Sequence, residues 1–216
     1  MLRAMVQDAI NLAATADSSD AFLDDVEPGA SPDALNVLGE MRVAIGAARR
    51  VQAAAATEDA LAAYSFLRVV LESAIRLRWL AGNGTELVPG DIHERINRQR
   101  RRDVTRFRDA LTLMPESVNR SDTIQILEAE LISLKDTALA PGQLRDLADT
   151  PDAKLLYDAH RFCSTLIHPG AAIRLVAGVE AKHAVPMANS ALDRAMKLAA
   201  ACTGVLDRDE PRPVDW

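Results

Sequence analysis

The chain has 216 residues, a formal net charge of −6, 49% hydrophobic and 26% charged residues, the profile of an ordinary globular protein and not of a disordered one. No apolar run approaches the roughly 20 residues that span a bilayer. The first helix carries Asp8 and Asn11 where a secretory leader needs an unbroken apolar stretch, so a cytoplasmic protein with no membrane partner is expected. Aromatics make up only 4% against 38 alanines. Ala, Leu, Val and Ile must then build the core, which favours close helix–helix contact and an all-α fold.

Apolar spacing and capping signals predict one domain over residues 1–206, a bundle of six or seven helices, with 207–216 as a C-terminal tail, mobile or a partner arm. The first helix is expected over Leu2–Ala16, amphipathic through Met5, Val6, Ala9, Ile10 and Ala13, with Asp17–Gly29 a polar, acidic connection. Ser31 as N-cap, Pro32 at the first helical position and Asp33 at the positive end of the dipole open a second helix that ends at Ala56. Thr57 reads as the cap of a third, reaching Ala81 before Gly82-Asn83-Gly84. A fourth follows Gly90 and stops at Met114 ahead of Pro115; a fifth covers Asp122–Asp136, with Ile124, Leu127, Leu131 and Leu134 at helical spacing. One short turn near Leu144 interrupts the loop 137–150. Thr150-Pro151-Asp152 opens a sixth helix that Pro169 halts at His168. In 171–185 the residues Ile173, Leu175, Val176 and Val179 could be extended, and a last helix spans Pro186–Leu206.

Three polar patterns cross this frame. The third helix is apolar on nearly every side, the mark of a central helix, yet Arg68, Glu72 and Arg76 line one face at i, i+4, i+8. They form either an exposed strip of ion pairs or a polar seam inside the bundle; Arg78 fits neither. On the fourth helix, seven arginines against Glu94 and Asp103 give residues 93–108 a net charge of +5, leaving −11 elsewhere. Arg95, Arg98, Arg101, Arg102 and Arg106 are candidate RNA-phosphate contacts. The same stripe could instead pair with the chain's own carboxylates, such as Asp24, Asp25 and Glu27, or dock an acidic partner.

The sixth helix is the most informative. Leu155, Leu156, Ala159, Phe162, Cys163, Leu166 and Ile167 make one apolar face, while Tyr157, Arg161, Ser164 and His168 fall within an arc of about 60° on the other, with His160 at its flank. An arginine, a hydroxyl, a phenol and an imidazole can contact a phosphate or move a proton. A helix C-terminus also favours protonated His168.

The run RFCSTLIHP, six residues between Arg161 and His168, resembles the Arg-x(4–6)-His signature of the HEPN superfamily, all-helical bundle proteins that include bacterial ribonuclease toxins and abortive-infection proteins. The segment LRVVLESAIRLRWL with its Arg-x3-Glu is similar to the central helix of bacterial bundle proteins that pair it with a later Tyr…Ser…His-Pro motif. The resemblance implies metal-independent RNA cleavage by attack of the ribose 2′-hydroxyl on the adjacent phosphorus. Arg161 would hold the phosphate and His168 would exchange protons, in a site shared by a homodimer; the acidic partner that the arginine stripe could dock would be, for example, a cognate antitoxin. Tyr157 and Ser164 join the candidate site from helical geometry alone.

The alternative is a noncatalytic helical-bundle module that binds a protein, a nucleic acid or a small ligand. No cofactor or metal is expected: the four histidines lack a ligand spacing such as HExxH, there is no CxxC, and Cys163 and Cys202 read as buried, reduced thiols. No Gly-rich phosphate loop or GxSxG elbow occurs.

Overall fold

The computed structural model describes residues 2–82, 86–116, 118–167, 178–208 and 212–213. It is an all-α bundle: α1 (Leu2–Val26), α2 (Pro32–Ala56), α3 (Ala60–Ala81), α4 (Pro89–Thr112), α5 (Val118–Ser133), the single turn α6 (Leu144–Leu147), α7 (Pro151–Ile167) and α8 (Ala184–Leu206). Short 3₁₀ turns at Glu27–Gly29 and Ala181–His183 lead into α2 and α8. In the C-terminal segment, Arg212–Pro213 (β2) pairs antiparallel with Glu86–Leu87 (β1), Leu87 opposite Arg212.

Helix α3 is the hub, packed against α2, α7 and α8, because almost every side of it after Ala63 is apolar and buried. Alanines on its neighbours, among them Ala44, Ala48, Ala191, Ala195 and Ala199, are fully or almost fully buried and let the helix axes approach closely. Helix α1 lies across α2 and α8, while α5 rests chiefly on α4, so the α4–α5 pair flanks the bundle.

Several boundaries differ from the sequence reading, among them α5, which spans Val118–Ser133 where Asp122–Asp136 was expected; those of α1 and α3 have a visible physical reason. Helix α1 runs on through the acidic stretch to Val26, where a loop was expected from Asp17. Its buried row is Leu12, Ala16, Ser19 and Leu23, at 3.6-residue spacing, while Val6 and Ile10 of the expected apolar face stand exposed. Asp17 and Asp20 are the outer side of that helix, both paired with Arg49 of α2, and Ser19 satisfies its hydroxyl on the Thr15 carbonyl at 2.8 Å. The third helix is capped by Asp59, whose carboxylate accepts from the Ala62 amide at 2.9 Å. Thr57 instead closes α2, its hydroxyl donating back to Ala53 and Ala54. The chain turns between the two through Glu58, which takes a left-handed φ of 56°.

Other signals are met as spelled. The Ser31 hydroxyl accepts from the Ala34 amide at 3.2 Å, and Thr150 does the same for Ala153 at 3.3 Å at the start of α7. Gly82 ends α3 at φ 81°, where a β-carbon would collide with the Arg95 guanidinium. Arg78, unplaced by the sequence, is buried and clamps this corner, donating to the Gly82 carbonyl and, at 3.0 Å, to Asp152 on the first turn of α7. Burial alone would raise the Asp152 carboxyl; the Thr150 hydrogen bond and the Arg78 charge outweigh it and hold it below the usual carboxylate value. Residues 168–177 lie outside the described residues, and with them His168, Ile173, Leu175 and Val176; Val179 packs half-buried against the core.

Candidate functional site

Helix α7 meets α3 with an arc rotated from the one the sequence suggests. Leu156, His160, Cys163 and Leu166 are buried, whereas Leu155 and Phe162, expected in the apolar face, are 66% and 47% exposed. The reason is polar: α3 offers Arg68, whose Nε–H donates to His160 Nε2 at 3.1 Å. An arginine can only donate, so Nε2 carries the lone pair and the neutral ring keeps its proton on Nδ1. Nδ1 is itself buried with no partner among the described residues. Burial, then the Arg68 charge, push the His160 pKa below 6.5, with Glu72 opposing. Tyr157, half-buried, stacks on the His160 ring with centroids 6.2 Å apart.

The four polar residues expected on one face of this helix are therefore divided. Ser164 is half-buried and donates to the His160 carbonyl at 2.9 Å, an internal helix contact. Tyr157 sits at the edge of the α3 interface through His160. Arg161 is exposed; its carbonyl accepts from the Thr165 hydroxyl at 3.0 Å, while its guanidinium has no hydrogen bond or ion pair among the described residues. His168 lies outside the described residues. His160 is the residue that sequence reasoning set aside. Its place in the period Leu156–His160–Cys163 was the available signal, and its polarity obscured it.

The Arg68–Glu72–Arg76 row is a half-buried seam. Arg68 faces α7, while Arg76 turns toward α2, bonding Glu72 at 2.8 Å and Glu40 at 3.5 Å. Gln99 of α4 adds a bond to the same Glu40 oxygen at 3.1 Å. Burial raises the Glu40 carboxyl above its ordinary value, against the Arg76 charge and the Gln99 hydrogen bond. For Arg76 the lowering effect of burial is outweighed by Glu40 and Glu72, so its pKa rises. Glu40 and Gln99 were not foreseen, since they come from helices whose relative placement no local pattern encodes.

Compared with known proteins, the chain matches no family model, no curated sequence and no solved structure.

The arginines of α4 make contacts within the chain. Arg101 and Arg102 donate to the Thr137 and Pro141 carbonyls, the latter at 2.8 Å, and Arg106 to the Gly142 carbonyl at 2.9 Å. Arg102 is 6% exposed. Arg95 folds back over Gly82 and donates to the Leu80 carbonyl at 3.4 Å, and Arg98 is half-buried beside Glu94. Arg100 pairs with Glu130 of α5. The loop 137–150 leaves carbonyls without helical partners, and these guanidiniums supply the donors. Three of the five arginines expected to meet RNA thus donate to the protein's own loop, with Arg102 buried and Arg106 still exposed. The carboxylates suggested for it are elsewhere: Glu27, for instance, pairs with Arg42.

Among the described residues, no three His, Cys, Asp or Glu side chains are grouped to hold a metal ion, and no helix is long and apolar enough to cross a membrane. Cys163 and Cys202 are free and buried, and burial pushes both thiols up to about 12.

Proposed function

We propose that the chain is a HEPN-like, metal-independent endoribonuclease of a toxin or phage-defence system. The observation carrying this reading is Arg161: it is an exposed guanidinium with no acceptor of its own among the described residues, whereas Arg101, Arg102 and Arg106 are spent on loop carbonyls. Arg161 can offer two parallel donors to a phosphodiester. Tyr157 and Ser164, one turn away on either side and half-open, add hydroxyls beside it. In the reaction the ribose 2′-oxygen forms a bond to phosphorus as its proton leaves, and the bond to the 5′-oxygen breaks as that oxygen takes a proton. The products are a 2′,3′-cyclic phosphate and a 5′-hydroxyl. His168 carries the proton transfers, and Arg161 neutralises the charge that develops on the phosphoryl oxygens. Two copies, α7 against α7, would complete the site, and a cognate antitoxin would act by covering it.

The test is cleavage of end-labelled tRNA, rRNA and mRNA fragments in EDTA by wild type, Arg161→Ala and His168→Ala. Cleavage with cyclic-phosphate ends that falls at least 100-fold in both variants is expected. Activity equal in all three proteins, or none in any, refutes the assignment. A second reading, a noncatalytic protein-binding module, is favoured by the exposed Phe107, Leu113, Met114, Ile126 and Ile132 of the α4–α5 pair; it stands if no RNA is cut.

A further inference from the structure

A cleft of about 370 Å³ opens between α2, α3 and α4, a size typical of small-ligand sites. Leu80 and Ile96 form an apolar, buried floor, and Leu35 and Val43 remain exposed at the rim. Glu40, Asp103, Asn36 and Gln99 supply the polar groups.

The donors and acceptors in this cleft are unequally committed. One oxygen of Glu40 takes both Arg76 and Gln99, and one oxygen of Asp103 takes Arg102 at 3.1 Å. The second oxygen of each carboxylate meets no donor among the described residues. The Asn36 amide donates to the Pro32 carbonyl at 2.8 Å, leaving its side-chain oxygen open. Arg100, the one cation lining the cleft among the described residues, is held by Glu130 of α5. Charge is unbalanced in the same sense, since Glu40 and Glu72 share the single guanidinium of Arg76. What fits is a group that donates and is positive, attached to an apolar body.

Gly39 forms part of the wall of the cleft. It lies inside α2, where glycine costs about 1 kcal/mol relative to alanine. No atom lies within 4 Å of where its β-carbon would sit, so no neighbour in the folded chain demands glycine there. Its missing side chain keeps this wall of the cleft open.

We propose that the cleft bounded by Gly39, Glu40, Leu80, Ile96 and Asp103 binds a small amphipathic organic cation, its ammonium or guanidinium at the free Glu40 oxygen and its apolar part over Leu80 and Ile96. This site is separate from α7 and does not depend on the ribonuclease reading. A free small molecule suits the cleft better than a protein segment because its volume matches one short ligand.

The experiment titrates the full chain with hexylammonium, 1-hexanol and a capped lysine, Nα-acetyl-lysine methylamide, by calorimetry and amide chemical shifts. Hexylammonium should bind saturably and at least tenfold more tightly than 1-hexanol or the capped lysine. Glu40→Gln should weaken it at least tenfold, and Gly39→Leu, which fills the wall, should abolish it. Val43→Arg, at a 51% exposed rim position where folding is not at risk, should also abolish it, so the proposal stays testable if a cleft variant misfolds. Equal binding of amine and alcohol, no saturable binding, tighter binding of the capped lysine, or unchanged affinity in Val43→Arg would overturn it.

Discussion

Replacing Arg102 by methionine tests whether the arginines of α4 are structural. The substitution keeps an apolar stem and removes a guanidinium whose side chain is 8% exposed. It deletes the bond to the Pro141 carbonyl at 2.8 Å and the one to Asp103 at 3.1 Å. Hydrogen bonds involving a charged group contribute about 1.5–3 kcal/mol each. Asp103 is 48% exposed and recovers water, so its bond counts for little. The Pro141 carbonyl is half-buried and loses its donor. The expected loss is about 2–3 kcal/mol, which for a chain of this size lowers Tm by about 5–10 °C. The assay is thermal unfolding by circular dichroism beside Arg108→Met, whose guanidinium among the described residues holds only the adjacent Asp109 and should cost less than about 0.5 kcal/mol. RNA affinity measured by filter binding should be the same for both variants. Arg102→Met as stable as Arg108→Met, with RNA affinity lost, would refute the structural role and restore the basic face as a nucleic-acid contact.

Arg78→Met should destabilise by about 2–4 kcal/mol, read from urea unfolding, because it removes a buried clamp and leaves the Gly82 carbonyl and Asp152 without it; a change below 1 kcal/mol would show that the corner holds without the clamp. His160, whose folded pKa lies below 6.5, binds fewer protons folded than unfolded. Its contribution is whole above about pH 6.5 and is lost as pH falls through the folded value. The stability difference between wild type and His160→Gln should therefore shrink from pH 7.5 to 5, and a difference that is constant or grows over that range would contradict the neutral ring. Asp59→Ala should cost about 1 kcal/mol as loss of an N-cap, and Thr57→Ala less than half as much; the reverse order would return the cap to Thr57.

The α7 surface shows how far local pattern reaches. Spacing in the sequence finds the helix and its amphipathic character, but assigns Leu155 and Phe162 inward and leaves His160 at the flank. The buried arc turns by part of a residue because Arg68 on α3 meets His160 with a hydrogen bond, and neither partner is paid for in a one-helix projection. The same holds for α1, whose inner row Leu12, Ala16, Ser19 and Leu23 is visible in the sequence only once a serine is allowed inside.

By itself the sequence determined the all-α fold, since alanine-rich apolar periods of 3.6 residues and caps such as Ser31 and Thr150 act within a turn of where they stand. It also determined the one-turn helix near Leu144 and the half-buried row Ile124, Leu127 and Leu131 of α5. Only the tertiary structure decided which arginines are free. Arg101, Arg102 and Arg106 on α4 meet the carbonyls of a loop more than thirty residues later, while the guanidinium of Arg161, in an equally polar helical stripe, meets no acceptor among the described residues. A guanidinium's partner is set by what lies within its reach in space, and for these groups that is chain distant in sequence.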